Sequence, residues 1–391
     1  MIVLLRRAAA AFFLAAASAA VFAADGASLL ARFECNRCHR IERAPDPPLE
    51  KQCLGCHERI LSGAFNAPAD LLSHWQGRLT SLTAVPSLIA TAKRFKRSWL
   101  ADYLISPVDL RPSLPATMPR LQLKREEAQQ LAELLAPENT HEPAPAGNPA
   151  NGRRKFETSG CGACHRFSGA DVPASGSPPV ALDSSALARA IALAPDLRFT
   201  RERFRRENLA RWIRDPASLK ADTPMPALPM SDSDAADLAA WILTTPLAVE
   251  PAAEVPKPLP LLEREVRWPE VEERVFRKIC RHCHADAAYA LGDGGPGNTG
   301  GFGFAARGFN LATYQGISSG IRDRGTGRRV SVFAPGPDGT TPLIVAAMLA
   351  RHAEIAGRPD PGLRGMPLGL PPIPLEDIQK VATWISLGRP R

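Results

Sequence analysis

The sequence Cys161-Gly162-Ala163-Cys164-His165 shows the pattern that decides the fold of this chain. Two cysteines are separated by two residues, and a histidine follows the second cysteine directly. The pattern occurs four times and uses all 8 cysteines of the 391 residues. Four chance occurrences are not credible in a chain so poor in cysteine and histidine. The other three copies begin at Cys35, Cys53 and Cys280.

This spacing fits the covalent attachment of c-type haem. Two thioether bonds reach the two vinyl groups of one haem, and the adjacent histidine then lies beneath the iron as an axial ligand. Zinc sites and disulfides also use cysteines, but neither requires a histidine after every second cysteine. The sequence therefore predicts four covalently bound haem c groups, each with its iron. The attachment residues are Cys35, Cys38, Cys53, Cys56, Cys161, Cys164, Cys280 and Cys283, and the proximal iron ligands are His39, His57, His165 and His284.

Residues 1–23 have the features of a secretory signal peptide. Arg6 and Arg7 precede an apolar run that ends in Val21-Phe22-Ala23, a small-residue cleavage pattern. An uncleaved membrane anchor is the alternative, because the apolar run is close to the length of a membrane span. We expect cleavage, a periplasmic or otherwise exported protein, and no membrane span in the mature chain.

The formal net charge of +8 does not indicate nucleic-acid binding. Eight haem propionates would offset most of this charge, and the basic residues are candidates for propionate partners. The sequence also contains no lysine-rich tract of the kind that contacts a phosphate backbone. We therefore expect protein partners and no nucleic acid.

Two stretches rich in proline and alanine divide the mature chain. These predicted linkers are residues 137–146 and 246–261. They separate residues 24–136, which contain two attachment motifs, from residues 147–245 and 262–391, which contain one motif each.

The first two divisions share an internal repeat. Pro86 and Pro195 each lie eight positions before an Arg-Phe pair. Gly26 and Gly152 lie at the same offset before the first cysteine of their motifs. A Met-Pro pair follows in every division, and apolar residues at helical spacing come after it. These pairs begin at Met118, Met225 and Met366.

This order of elements resembles the class I cytochrome c family, which has an N-terminal helix, the Cys-x-x-Cys-His motif, a Pro-x-Leu loop, a middle helix, a Met-Pro loop and a C-terminal helix. The resemblance implies an all-α fold of three tandem helical modules, joined by Pro-rich linkers and carrying loop-rich insertions. It also implies that the loop proline carbonyl orients the proximal imidazole. Met118, Met225 and Met366 would be sixth iron ligands, with Met230 as the fallback for Met225.

Residues 24–136 depart from the family because two haem motifs share one Met-Pro pair. The glycine offset favours His39 as the partner of Met118. The spacing to the loop proline favours His57, because His57 lies 29 residues before Pro86 and the second repeat has a spacing of 30. We favour His39, because the offset from the N-terminal helix concerns a more fundamental element of the fold than the spacing to the loop proline does.

The other haem of this division then needs a different sixth ligand or has none. His74 is the best candidate, because it lies 17 residues after His57. An open iron that binds small molecules is the alternative. His282 is an internal position of the fourth motif, and we assign it no role.

These features predict a tetrahaem cytochrome that relays single electrons between redox protein partners. A peroxidase-like enzyme or another small-molecule oxidoreductase is an alternative if one iron is open. A cytochrome subunit of a membrane oxidoreductase is a second alternative. We assign no catalytic residue.

Overall fold

The computed structural model describes residues 26–42, 44–114, 118–137, 143, 146–172, 177, 180–286 and 297–391. The described chain is mostly helical, which confirms the predicted fold class at that level. Its buried apolar side chains form three clusters, which we use to name a first segment (26–136), a second segment (147–245) and a third segment (262–391). Within the described residues, none of the helices combines the length and apolar character that crossing a bilayer requires.

Helices provide the framework of each segment. The first segment contains α1 (26–32), α2 (Cys53–Leu61), α3 (Ala69–Arg78), α4 (Arg97–Ile105) and α5 (Arg125–Leu135). The second contains α6 (Pro149–Thr158), α7 (Ser184–Leu193), α8 (Thr200–Arg203), α9 (Arg206–Arg214) and α10 (Asp232–Thr244). The third contains α11 (Trp268–Val271), α12 (Arg281–Cys283), α13 (Tyr314–Ser318), α14 (Leu343–Ile355) and α15 (Leu375–Ser386). A π-helix over Glu272–Cys280 joins α11 to α12, and strands β1 (Ile321–Arg322) and β2 (Arg329–Val330) form a small antiparallel pair.

The three helices predicted after the Met-Pro pairs are confirmed as α5, α10 and α15. Their sequences have apolar residues at helical spacing, so each helix buries one face. Ser231 caps α10, because its hydroxyl accepts a hydrogen bond from the Asp234 backbone N–H at 3.0 Å. The strand pair was not predicted, and it lies in the long insertion of the third segment.

The glycine that precedes the attachment motif lies where two helices cross. A Cβ atom at Gly152 in α6 would lie 2.0 Å from the Asp237 carbonyl oxygen in α10. One turn later, Phe156 packs on Trp241 with ring centres 4.9 Å apart. Gly26 makes the looser equivalent approach of α1 to α5. The close crossing explains why both repeats place glycine at this offset.

The first and second segments are joined through their repeated Arg-Phe sequences. The Lys96 backbone N–H donates to the Arg203 carbonyl at 2.9 Å, and the Arg205 N–H donates to the Arg94 carbonyl at 2.7 Å. The phenylalanines between these residues pack edge to face, with ring centres 6.2 Å apart. Equivalent residues therefore exchange equivalent bonds, as in the two-fold interface of a homodimer.

The third segment packs against the first. The Phe302 backbone N–H donates to the Glu34 carboxylate at 3.0 Å, and Gly303 lies against the Phe33 ring. Arg364 donates to the Gln122 side chain at 2.7 Å. The first segment thus contacts both of the others.

Candidate haem sites

Three cavities each bring one attachment motif to one of the predicted methionines. The cavity volumes are about 240 Å³ in the first segment, 310 Å³ in the second and 430 Å³ in the third. In each cavity, residues that are far apart in sequence line a common space. The sets are Cys35, Cys38, His39 and Met118; Cys161, Cys164, His165 and Met225; and Cys280, Cys283, His284 and Met366.

Backbone carbonyls orient two of the proximal histidines. Nδ1 of His39 lies 2.7 Å from the Pro86 carbonyl oxygen, and Nδ1 of His165 lies 2.9 Å from that of Pro195. An imidazole that donates from Nδ1 leaves Nε2 as the unprotonated nitrogen that a metal requires. Burial also lowers the pKa of both imidazoles, which favours the neutral, ligating form.

The Pro86 carbonyl oxygen is therefore hydrogen-bonded to His39, whereas His57 faces the Leu82 carbonyl. Met118 lines the same cavity as His39. This is the pairing that the glycine offset favours, and the spacing from His57 to Pro86 pointed to the wrong histidine.

The third cavity holds its histidine in a tighter enclosure. The backbone of Gly297 lies so close to His284 that a Cβ atom there would be 1.4 Å from Nδ1. Phe309 packs on the same imidazole, with ring centres 5.0 Å apart. Burial lowers the pKa of His284 to about 4, so this imidazole is also neutral near pH 7.

The Met366 loop is anchored to α14. Its backbone N–H donates to the Ala347 carbonyl at 2.8 Å. The preceding Gly365 N–H donates to the Glu354 carboxylate at 2.8 Å, and Glu354 forms a buried ion pair with Arg351 at 2.9 Å. These bonds fix the loop that brings Met366 to the cavity.

The second motif of the first segment has a different local structure. It starts α2, so Cys53, Cys56 and His57 lie on a helix. The thiols of Cys38 and Cys53 are hydrogen-bonded, and this contact together with burial raises the pKa of Cys38. Nδ1 of His57 lies 3.2 Å from the Leu82 carbonyl oxygen. The two motifs of this segment are therefore in direct contact.

His74 makes no recorded contact with His57 in the described part of the chain. It is an exposed residue of α3, whereas its neighbour Gln76 faces α2 and donates to the Ile60 carbonyl at 2.8 Å. The ring that lies beside His57 belongs to His282 of the third segment, at a centre-to-centre distance of 6.4 Å. The assignment of His74 as a ligand stays a prediction without a supporting contact. No periodicity or spacing in the sequence identifies His282 as a neighbour of His57.

Arginine side chains line all three cavities, and Arg94 and Arg203 are buried. Burial lowers the pKa of Arg203 to about 9 and that of Arg94 to about 10. The Nε atoms of these arginines and of Arg364 have no hydrogen-bond partner in the described structure. An unpaired buried cation is costly unless an anion enters the site, and haem propionates are such anions. The arginines are Arg94 and Arg111 at the first and second cavities, Arg203 at the second, and Arg307, Arg324 and Arg364 at the third.

The sulfur atoms also suit thioether attachment. Burial raises the pKa of Cys35 and Cys161 to about 11 and that of Cys280 to about 12. Reactive thiolates need the opposite environment, which is electropositive and partly exposed. The donor sets, the buried arginines and the cavities thus fit haem c.

A family model described as Cytochrome c matches residues 149–246. No curated protein and no solved structure matches the chain. The matched range contains the motif at Cys161, the loop proline Pro195 and Met225 around one cavity. Members of this family bind haem c covalently and transfer electrons. Residues 149–246 are therefore similar to a cytochrome c domain, the kind of domain that binds haem c.

Proposed function

We propose that this protein is an exported cytochrome of three cytochrome c-like modules, which carries four haem c groups and relays single electrons between redox protein partners. The shared wall between the first and second cavities carries this proposal. Haems in these cavities would be separated by a single layer of side chains, a separation suited to fast electron exchange. The residues that line both cavities are Val85, Pro86, Ser87, Arg94, Phe95 and Arg111.

The proposed axial ligands also suit electron transfer. Each of the three cavities is lined by one proximal histidine and one predicted methionine, and an iron that binds both would be six-coordinate. A thioether is a soft ligand that favours ferrous iron and raises the reduction potential. A saturated iron leaves no position for a substrate, and this favours a carrier over a catalyst.

The motif at Cys53 extends the relay. The contact between the Cys38 and Cys53 thiols would place two haems next to each other. The proposed export signal at residues 1–23 lies outside the described residues. A membrane oxidoreductase is one class of partner that an exported carrier of this kind would serve.

A potentiometric titration of the purified protein tests the proposal. We expect four haems that are reduced reversibly by one electron each, with no turnover of peroxide or nitrite. Met225→His should keep its iron six-coordinate and lower the potential of one haem, because a second imidazole replaces the thioether. Met230→His is the matched control, since Met230 packs in the same core but is not among the residues that line the cavity. Catalytic turnover of peroxide or nitrite would contradict the carrier function.

A further inference from the structure

We propose that His282 is the sixth iron ligand of the haem bound at Cys53, Cys56 and His57. This haem would then take its second imidazole from the third segment, through the middle of another attachment motif. The inference rests on the proposed tetrahaem function and specifies one of its four sites.

The separation of the two imidazoles carries the inference. The ring centres of His57 and His282 are 6.4 Å apart. With a metal–nitrogen bond of about 2 Å and a ring centre roughly 1.1 Å behind the nitrogen, two imidazoles on opposite sides of one metal have centres about 6.2 Å apart. The ring planes are inclined by 36°. Each imidazole can rotate about its own iron–nitrogen bond without changing the bond length. An inclination of 36° between the two ring planes is therefore compatible with ligation of one iron by both histidines.

His57 has the correct nitrogen available. Its Nδ1 faces the Leu82 carbonyl oxygen at 3.2 Å, so Nε2 is the atom left for iron. His57 also follows Cys56 on α2, where the attachment motif requires the proximal ligand.

The helix that carries the fourth motif directs His282 away from its own haem site. Cys280 and Cys283 are three residues apart, so they share one helical face, and both line the third cavity. His282 lies on a different face of the same helical turn and is exposed there. The fourth motif can therefore bind its own haem and also supply an iron ligand to the haem at Cys53.

The backbone at His282 is held by its neighbour Arg281. This side chain is 7% exposed and donates to the Ala312 carbonyl at 2.6 Å, and it also forms an ion pair with Glu272. Arg78 of α3 lies 3.9 Å from Glu273 in the π-helix, so the first segment also contacts the helix that precedes the fourth motif. His282 is thus presented to the first segment by an anchored helix.

This ligation has a consequence for the relay. His282 adjoins Cys283, so a short covalent path would connect the iron of the haem at Cys53 to the haem at Cys280. The four haems would then be connected in the order Cys161, Cys35, Cys53 and Cys280.

The test compares His282→Ala with His74→Ala in the full-length holoprotein. His282→Ala leaves Cys280, Cys283 and His284 in place, so the fourth attachment motif is intact. We expect His282→Ala to retain its haems, to gain a high-spin ferric signal in electron paramagnetic resonance, and to bind about one equivalent of carbon monoxide per chain when reduced. His74→Ala should match the wild type in all three measurements.

His282→Met gives a second readout that preserves six-coordination. It should replace one bis-histidine low-spin signal by a histidine–methionine signal and raise one reduction potential. The inference is overturned if both His282 variants keep the wild-type spectrum, or if His74→Ala is the variant that opens an iron. A wild-type chain with fewer than four haems would instead overturn the proposed function, which separates the two failures.

Discussion

The first and second segments are built on the same skeleton but differ between the proximal histidine and the loop proline. The separation is 47 residues from His39 to Pro86 and 30 residues from His165 to Pro195. The hydrogen bond that ends each interval is nevertheless similar, at 2.7 and 2.9 Å. The additional residues of the first segment contain α2 and α3 with the second attachment motif. The difference indicates that the first segment carries additional residues with a second attachment motif, while the hydrogen bond between the equivalent histidine and proline is retained.

The largest predicted effect on stability comes from the crossing of α6 and α10 at Gly152. In Gly152→Ala the new Cβ would lie 2.0 Å from a backbone carbonyl, so one of the helices must shift. We expect a loss of about 3 kcal/mol in the free energy of unfolding, measured by urea denaturation of the holoprotein.

Gly26→Ala is the matched variant in the first segment. Its Cβ would lie 3.0 Å from the Gln130 carbonyl oxygen, and the better helix propensity of alanine offsets part of the strain. We expect a change within about 1 kcal/mol. Equal losses for the two glycines would show that the crossings are not as different as the structure indicates.

The interface between the two repeats depends on a buried ion pair that the first repeat lacks. Arg205 and Glu207 are 2.7 Å apart with side chains 6% and 10% exposed, and Arg205 also donates to the Ala92 carbonyl across the interface. Glu207→Gln should destabilise the protein by about 2 kcal/mol, because it leaves a buried guanidinium without its counterion.

The control for this pair is Asp102→Asn. Asp102 pairs with Arg125 at 2.8 Å, but both side chains are more than half exposed. We expect a change within about 0.5 kcal/mol in the same urea experiment. A loss as large as that of Glu207→Gln would remove burial as the explanation.

The buried arginines differ in the number of cavities they line, and this gives the smallest predicted effect. Arg94 lines the first and second cavities, whereas Arg203, its equivalent in the repeat, lines the second only. Loss of a nearby positive charge stabilises ferric haem by roughly 1 kcal/mol, or about 40 mV. Arg94→Met should therefore lower two potentials in a redox titration, and Arg203→Met one. If each variant lowered the reduction potential of only one haem, the result would contradict a wall shared by the first and second cavities.

Local patterns in the sequence predicted much of this arrangement. The attachment motifs, the glycine offset and the helices α5, α10 and α15 all depend on spacings within a few turns, and such spacings are visible in the sequence. Strands β1 and β2 have two residues each, which is too short for an alternating pattern. The contact between His57 and His282 joins residues from the first and third segments, so only the tertiary structure reveals it.

The spacing from His57 to Pro86 shows why a repeat in the sequence can suggest the wrong histidine as the partner of the loop proline. Its distance from Pro86 matches the second segment within one residue, yet the carbonyl of Pro86 faces His39. An insertion of almost the right length created the coincidence. Hydrogen-bond geometry decides between the two histidines, because the orienting carbonyl can serve only the imidazole that it reaches.

Intact-protein mass spectrometry after denaturation tests the four-haem account most directly. Covalent haem remains on the chain when the fold is lost, whereas bound metal or non-covalent haem is released. We predict the mass of the processed chain plus four haems, with none of the 8 cysteines available to a thiol reagent. A mass with fewer haems, together with reactive thiols at Cys53 and Cys56, would contradict the account.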